Sequence, residues 1–571
     1  MDEHIPASPP LPASPPGGLL QSRKSRRAFL GGAAGIAAAG TAAAIIYASG
    51  SSGGGGDDDG AAQPASNGKS DVPPAASSAT STVVLAKTII ADPRRRAAHL
   101  LRRAGFGGTT KEIEEFSNLS REAAADRLIN FEAIDNSALN GRIETANFEL
   151  ADYQGGLFVD MQRWWLTRMA YTARPLEERM TYIWHGLLTS QVSKIGNQRA
   201  KLMVRQNDLF RGMALPKYDV LLKAVSRDPA MLLYLDNVES TKEHPNENYA
   251  RELMELFSMG VGNYSEDDVR ESARAFTGWR ITAPERMAMT PGQALSEEER
   301  RRLQREGALA FNPQFYIAER QHDNGSKTFL GQTGNLGGDE IIDIIMKQPA
   351  TGRFMCTRLF QEFVRYEPDK PTIEALVKTW ESSGFDVKAV VRQILVSDAF
   401  YSEASYRSFV RSPVEFAVNL VRALELETDF RTAVNRQYGF PAMDQVLFEP
   451  PSVAGWPGGS TWLSSSTFFG RANFADGLFF GFTQGNQNRP NQNQNQKQNR
   501  NVQRIIPVPA LATAASAELM VDAALDRLVD GNVTPAARDT LYAYARSITK
   551  ADERAAAIAY LVAASPEYQL A

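Results

Sequence analysis

The chain has 571 residues, with 62 basic and 66 acidic side chains, five His and a single Cys. A net charge of −4 removes the basic footprint of a nucleic-acid binder. The lone Cys356 excludes an intrachain disulfide and any zinc site built from several cysteines. At roughly 100–200 residues per domain, the length suits two to four domains or one large helical body with tails. The apolar fraction of 43%, with 28 Phe and 7 Trp, is enough for a sizeable core.

Residues 1–21 are rich in Pro, Ala and Ser and are expected to be a disordered leader. Residues 22–48 carry Ser25-Arg26-Arg27-Ala28-Phe29-Leu30 and then an uncharged Ala/Gly-rich run. This resembles a bacterial twin-arginine (Tat) signal, with Arg26, Arg27, Phe29 and Leu30 as its targeting residues. A receptor-read cationic pair ahead of a mildly apolar stretch suits export of a folded cargo. The resemblance implies the Tat translocase as a partner and a periplasmic or extracellular destination. The run is long enough to span a membrane, but Gly31, Gly32, Gly35 and Gly40 make it a poor permanent anchor. Two fates stay open: cleavage near Ala42-Ala43-Ala44, or retention as an uncleaved N-terminal anchor. Membrane contact is expected nowhere else. Residues 49–82, with Gly53 to Gly56 and Asp57 to Asp59, are too poor in apolar side chains to order and read as a flexible linker.

Helical punctuation dominates the main domain, residues 83–483. Asp228-Pro229 places a capping side chain before a proline at the first helical position. Asn246 to Met259 has Tyr249, Leu253, Leu256 and Phe257 at helical spacing and stops at Gly260. Ser265-Glu266-Asp267-Asp268 approximates a capping box for a helix running to Gly278. Arg174-Pro175 opens another helix through Trp184, and Thr351 to Tyr366 forms one whose apolar face includes Cys356. Glu297 with Arg301 and Glu298 with Arg302 mark an exposed helix. Around Gln314 to Leu330, Asn324-Gly325 separates short alternating runs and predicts a two-residue hairpin, to which Trp279 to Thr282 could add a third strand. The fold class expected is mainly α: a large multi-helix body with a small inserted β-hairpin or short sheet. Residues 484–506, an Asn/Gln-rich stretch, read as disordered, and 507–571 as C-terminal helices packing on the main domain. The apolar helices ending at Ser397-Asp398-Ala399-Phe400 and Ser565-Pro566-Glu567-Tyr568 echo each other, each stopped by a Ser-initiated turn that docks an aromatic.

Several blocks together resemble the bacterial domain-of-unknown-function family numbered eighteen-hundred. They include His99-Leu100-Leu101-Arg102-Arg103-Ala104-Gly105-Phe106-Gly107, Trp184-His185, Asp236-Asn237 with Asn246 to Leu253, Ala275 to Trp279, His322 to Lys327, and Pro450 to Gly459. Their order covers about residues 94–475. The resemblance implies a largely helical exported protein, often encoded beside a second exported family (numbered fifteen-hundred-and-one) that resembles alkaline phosphatases and sulfatases. It carries no catalytic residues with it.

The densest polar cluster is Asp236, Asn237, Asn246, Glu247, Asn248, Arg251 and Glu252. Glu247 and Arg251, four apart, share a helix face. With His185 on an amphipathic helix and His322-Asp323 at a turn, two readings stand. In one, His185, Glu247, Glu252, His322 and Asp323 are candidate catalytic groups, and His185, Asp236, Glu247 and His322 candidate ligands for a divalent metal, as in a metal-assisted hydrolase. In the other, these groups cap helices and pair with one another, and the protein is an exported accessory factor that binds a phosphatase-like companion. No His-Glu-x-x-His spacing and no Gly-x-Ser-x-Gly elbow is present. The loop Gly331 to Gly338 leads into a helix whose first turn holds Asp339 and Glu340, which would repel an anion, so it reads as a connecting turn. His99 with Arg102-Arg103 reads as a set of side chains binding helix ends. Trp456 and Trp462, among Pro and Gly, either plug the body or present a stacking surface.

Overall fold

The computed structural model describes residues 88–148, 150, 157–282, 313–481 and 505–571. The leader, the targeting residues Arg26, Arg27, Phe29 and Leu30, the linker, the Glu297–Arg302 helix and nearly all of the Asn/Gln-rich stretch lie outside them. Among the described residues the chain is mainly α, with 22 α-helices and two small antiparallel sheets.

Local chemistry sets the helix starts. Asp92 accepts from the Arg94 and Arg95 N–H groups ahead of Pro93–Arg103, and Asp228 from Ala230 and Met231 ahead of Pro229–Tyr234. Thr109, Ser265 and Ser412 close reciprocal capping boxes with Glu112, Asp268 and Glu415. The helix predicted from Asn246 to Met259 is α-helical only over Glu247–Glu255. Beyond it Phe257 N–H reaches back five residues to the Glu252 carbonyl, and Met259 N–H to that of Met254, so the last turn widens before Gly260. The core is aromatic-rich, with Trp165, Trp184, Trp279 and Trp380 fully buried. Cys356 lies inside it with no exposure.

The β element differs from the predicted hairpin. Trp279–Ile281 pairs with Phe315–Ile317, and Lys327–Phe329 with Gln332–Gly334, as two separate sheets. Leu330 and Gly331, both at positive φ (44° and 79°), form the tight turn that was expected at Asn324-Gly325. The reason lies at Asp323: its carboxylate takes the Gly325 N–H at 2.8 Å and the Arg274 guanidinium at 2.7 Å, and this pins the Asn-Gly turn to the Glu266–Ala275 helix instead.

The C-terminal helices pack on the main body. Ala551–Ala563 lies against Ser465–Phe480 and Ala517–Val529, and the latter also meets Pro413–Ala423. Buried guanidinium groups join these parts. Asp530, in left-handed conformation after the Ala517–Val529 helix, receives Arg102 at 2.9 Å and Arg407 at 3.1 Å, with Tyr406 Oη at 2.6 Å. Burial would raise its carboxyl, but Arg102 and Arg407 override that and hold it far below the usual range. Arg103 donates to the Phe363 and Glu362 carbonyls at 3.1 and 2.7 Å, closing the C-terminal end of the Pro349–Phe363 helix. Burial likewise opposes the Glu415 charge, yet Arg179 and Arg103 bring its carboxyl down to about 2.

Because the folded value for Glu415 lies below the ordinary 4.5, its contribution is complete above that pH and disappears as pH falls towards 2. Glu415→Gln should cost about 3–5 kcal/mol at pH 7, since it strands Arg179, and should flatten the acid limb of the stability profile. Asp530→Ala should cost a similar about 3–5 kcal/mol by stranding Arg102 and Arg407. Urea unfolding at pH 7 and pH 3 measures both; losses near zero would contradict the assignment.

Candidate functional site

The polar cluster forms around the start of the Glu247–Glu255 helix. Asp236 leaves the preceding helical turn at φ 56°, and its carboxylate accepts from Lys194 Nζ at 2.9 Å. Asn246 Nδ2 donates to the Asp236 carbonyl at 2.9 Å, Asn246 Oδ1 caps the Asn248 N–H at 2.9 Å, and the Asn246 N–H donates to Ser240 Oγ at 3.0 Å. One asparagine thus ties three backbone segments together. Glu247 and Arg251 meet at 3.3 Å, and Arg251 also forks onto Glu266 at 2.9 and 2.8 Å. Glu252 is half-buried; burial first, then Glu255, raises its carboxyl. Asn248 is exposed, whereas Asn237 is fully buried with neither side-chain polar atom hydrogen-bonded among the described residues.

His185 sits elsewhere. It is 1% exposed, on the Pro175–Leu187 helix, with Trp165, Phe448 and Trp456 ring centroids 5.1–5.5 Å away. Its Nε2 accepts the Phe448 N–H at 3.2 Å, and burial lowers the imidazole to about 3. A neutral ring so held is an acceptor for backbone, not a base for a substrate. The Pro450–Gly459 loop closes over it because Gly455, at φ 79°, lies where a Cβ would stand 2.3 Å from the Gly186 carbonyl oxygen. Trp456 is half-buried on His185 and Trp462 is 5% exposed, so this loop plugs the body, leaving Phe469 as the exposed aromatic beyond it.

His322 and Asp323 form a third group. His322 Nδ1 bonds the Thr277 carbonyl at 2.7 Å, and the Asp323 N–H donates to Thr277 Oγ1 at 2.8 Å. Gly278, at φ 74°, admits this segment: a Cβ there would lie 2.9 Å from both the Ala318 oxygen and the His322 nitrogen. Arg274 holds the Asp323 carboxyl below its usual range. The structure therefore joins Asp236, Asn246 and Asn248 through hydrogen bonds, pairs Glu247 with Arg251, joins His322 to Asp323 through Thr277, and binds His185 into an aromatic cage. Among the described residues no group of three or more His, Cys, Asp or Glu side chains is placed to hold a metal ion. The candidate ligand acids Asp236 and Glu247 already face Lys194 and Arg251, and the catalytic candidate Asp323 faces Arg274.

Two features escape sequence reading. Asp228 signals only a helix cap, but it is 5% exposed and takes Gln206 Nε2 at 2.8 Å, and burial raises its carboxyl to about 6. The other is a cavity over the Pro349–Phe363 helix, lined by side chains from two separate stretches with no motif between them.

The folded Asp228 carboxyl binds its proton more tightly than the unfolded one, so this group's contribution is best below about pH 4 and declines as pH rises through about 6. Asp228→Asn keeps a good cap, should remove that decline and should gain up to about 3 kcal/mol at pH 7. Stability unchanged or lower across pH 4–7 would contradict the assignment. In the cluster, Asn246→Ala should cost about 1–2 kcal/mol through the lost cap and the freed Asp236 carbonyl. Glu247→Gln should cost within about 0.5 kcal/mol, as an exposed pair does. Thermal unfolding of the three variants compares them directly.

Residues 99–570 match the family described as "Protein of unknown function (DUF1800)". The match runs through the Arg102, Arg103 and His185 blocks, the polar cluster and the C-terminal helices as a single span. No curated protein and no solved structure matches the chain. With more than half its length inside that span, the chain belongs to the DUF1800 family of proteins of unknown function.

Proposed function

We propose that this is an exported accessory protein, which folds before translocation, crosses by the Tat route and works outside the cytoplasm by binding a partner, an exported phosphatase- or sulfatase-like protein. The observation that carries the accessory reading is that four of the five candidate catalytic groups, His185, Glu247, His322 and Asp323, already have structural partners. His185 is a neutral acceptor in an aromatic cage, Asp323 is paired with Arg274, and Glu247 with Arg251. Groups committed in this way brace the fold, and turning them to chemistry would first require breaking those pairs.

Export in a folded state is supported by the Ser25 to Leu30 pattern and by the thiol content. Cys356 is the only cysteine, it is fully buried, and burial pushes its thiol up to about 12, so folding needs no oxidising compartment. No helix among the described residues is long and apolar enough to cross a membrane.

Replacing both Arg26 and Arg27 by Lys should leave the full-length chain in the cytoplasm, as read by cell fractionation; unchanged export would refute the Tat assignment. Mild affinity purification of the exported form should recover a phosphatase- or sulfatase-like chain identified by mass spectrometry. A solitary monomer under the same conditions would refute the partner.

A further inference from the structure

A cavity of about 540 Å3 opens along the Pro349–Phe363 helix, from Pro349 to Gln361, large enough for a small organic molecule. Part of its lining is apolar: Met259, Pro349 and Phe354. Phe354 is seated tightly on the loop after the polar cluster, its Cδ2 standing 3.2 Å from where a Gly260 Cβ would be. Asn263 fixes that loop by donating to the Met259 carbonyl at 2.9 Å and the Gly260 carbonyl at 3.2 Å. The apolar wall is therefore built before any ligand arrives.

Another part is cationic. Arg353 and Arg358 both line the cavity, and no carboxylate lines it among the described residues. Arg358 has only the half-exposed Glu362, at 3.9 Å, a separation worth little in water. Arg353 makes no ion pair or hydrogen bond among the described residues. This contrasts with the rest of the body, where buried and half-buried arginines are spent on carboxylates and helix-end carbonyls. Pro349 and Ala350, the first turn of this 15-residue helix, also face the cavity, with no side-chain cap and no acid in that turn, so the helix end adds to the positive field.

We propose that this cavity binds an organic anion, its carboxylate or phosphate between Arg353 and Arg358 and its apolar body on Met259, Pro349 and Phe354. The site is independent of the partner-binding reading, since it uses none of the residues on which that reading rests. Guanidinium forks suit both oxyanions, and the apolar wall selects against the bare inorganic ion.

The test is calorimetric titration of the full chain with four probes: phenyl phosphate, benzoate, phenol and inorganic phosphate. At least one of the first two should bind, more tightly than phenol and than inorganic phosphate, and binding should weaken as salt is raised. The double variant Arg353→Ala/Arg358→Ala should weaken it by about tenfold or more while thermal unfolding stays near that of the parent, because both side chains stand at the surface. Thr357→Trp, which fills the cavity without changing its charge, should abolish binding. Absence of binding by both organic anions, equal binding by inorganic phosphate, or unchanged affinity in the double or the cavity-filling variant would overturn the proposal.

Discussion

A guanidinium group taken out of water must be compensated, and much of this architecture follows from where its buried arginines find compensation. Arg102 and Arg407 converge on the single carboxylate of Asp530. Arg422 bonds the Gly107 and Ala170 carbonyls at 2.8 and 2.9 Å and the Glu112 carboxylate at 2.8 Å. Arg471 reaches the Arg411 carbonyl at 2.6 Å and Gln569 Oε1 at 3.2 Å. Where carboxylates are lacking, aromatic faces serve: Arg103 lies 3.7 Å over Phe409 and Arg411 4.0 Å over Tyr568. Burial lowers Arg411 to about 9 and Arg103 and Arg471 to about 10, so all three remain charged at neutral pH.

These contacts join stretches from 60 to 428 residues apart. The first described helix, Pro93–Arg103, is fixed to the Pro349–Phe363 helix through Arg103 and to the C-terminal helices through Arg102 and Arg94. Residues 565–571 are gathered in as well: Arg411 N–H donates to the Gln569 carbonyl, and Phe409 and Ala571 exchange backbone bonds. Removing the Asp530 carboxylate would leave Arg102 and Arg407 buried without their counter-charge. This frame of buried arginines also accounts for the density of polar side chains among the described residues. The guanidinium groups of the cavity over the Pro349–Phe363 helix stand apart from the frame, and that is what makes them available to a ligand.

Much of the local structure was legible. Asp228-Pro229 and Ser265 with Asp268 mark helix starts because the capping bond forms between neighbours in sequence, whatever the fold, and Arg174-Pro175 marks one through its proline at the first helical position. The two Ser-initiated turns also match: the Phe400 N–H bonds Ser397 Oγ at 3.1 Å and the Tyr568 N–H bonds Ser565 Oγ at 3.4 Å, each aromatic fully buried. In the His99 block Arg103 binds a helix end, whereas His99 Nε2 lies 3.0 Å from the Phe400 carbonyl, in the turn beyond Val387–Val396, and Arg102 pairs with Asp530. The hairpin was misplaced because Asn324-Gly325 and Leu330-Gly331 offer the same short loop. Arg274, half a hundred residues earlier, selects between them by engaging Asp323.

The candidate site was legible as a composition and not as an arrangement. Sequence alone determined that Glu247 and Arg251 share a helix face, that Asn246 can cap that helix, and that the chain is a mostly helical member of its family, because each of these depends on short-range geometry or on the order of motifs. Only the tertiary structure decided that His185 packs against Phe448 and Trp456 while His322 turns to Thr277, that Asp228 is desolvated, and that Arg353 faces a cavity without a counter-charge. Burial and charge pairing are set by which distant segments come to lie side by side, and no spacing within one segment encodes that.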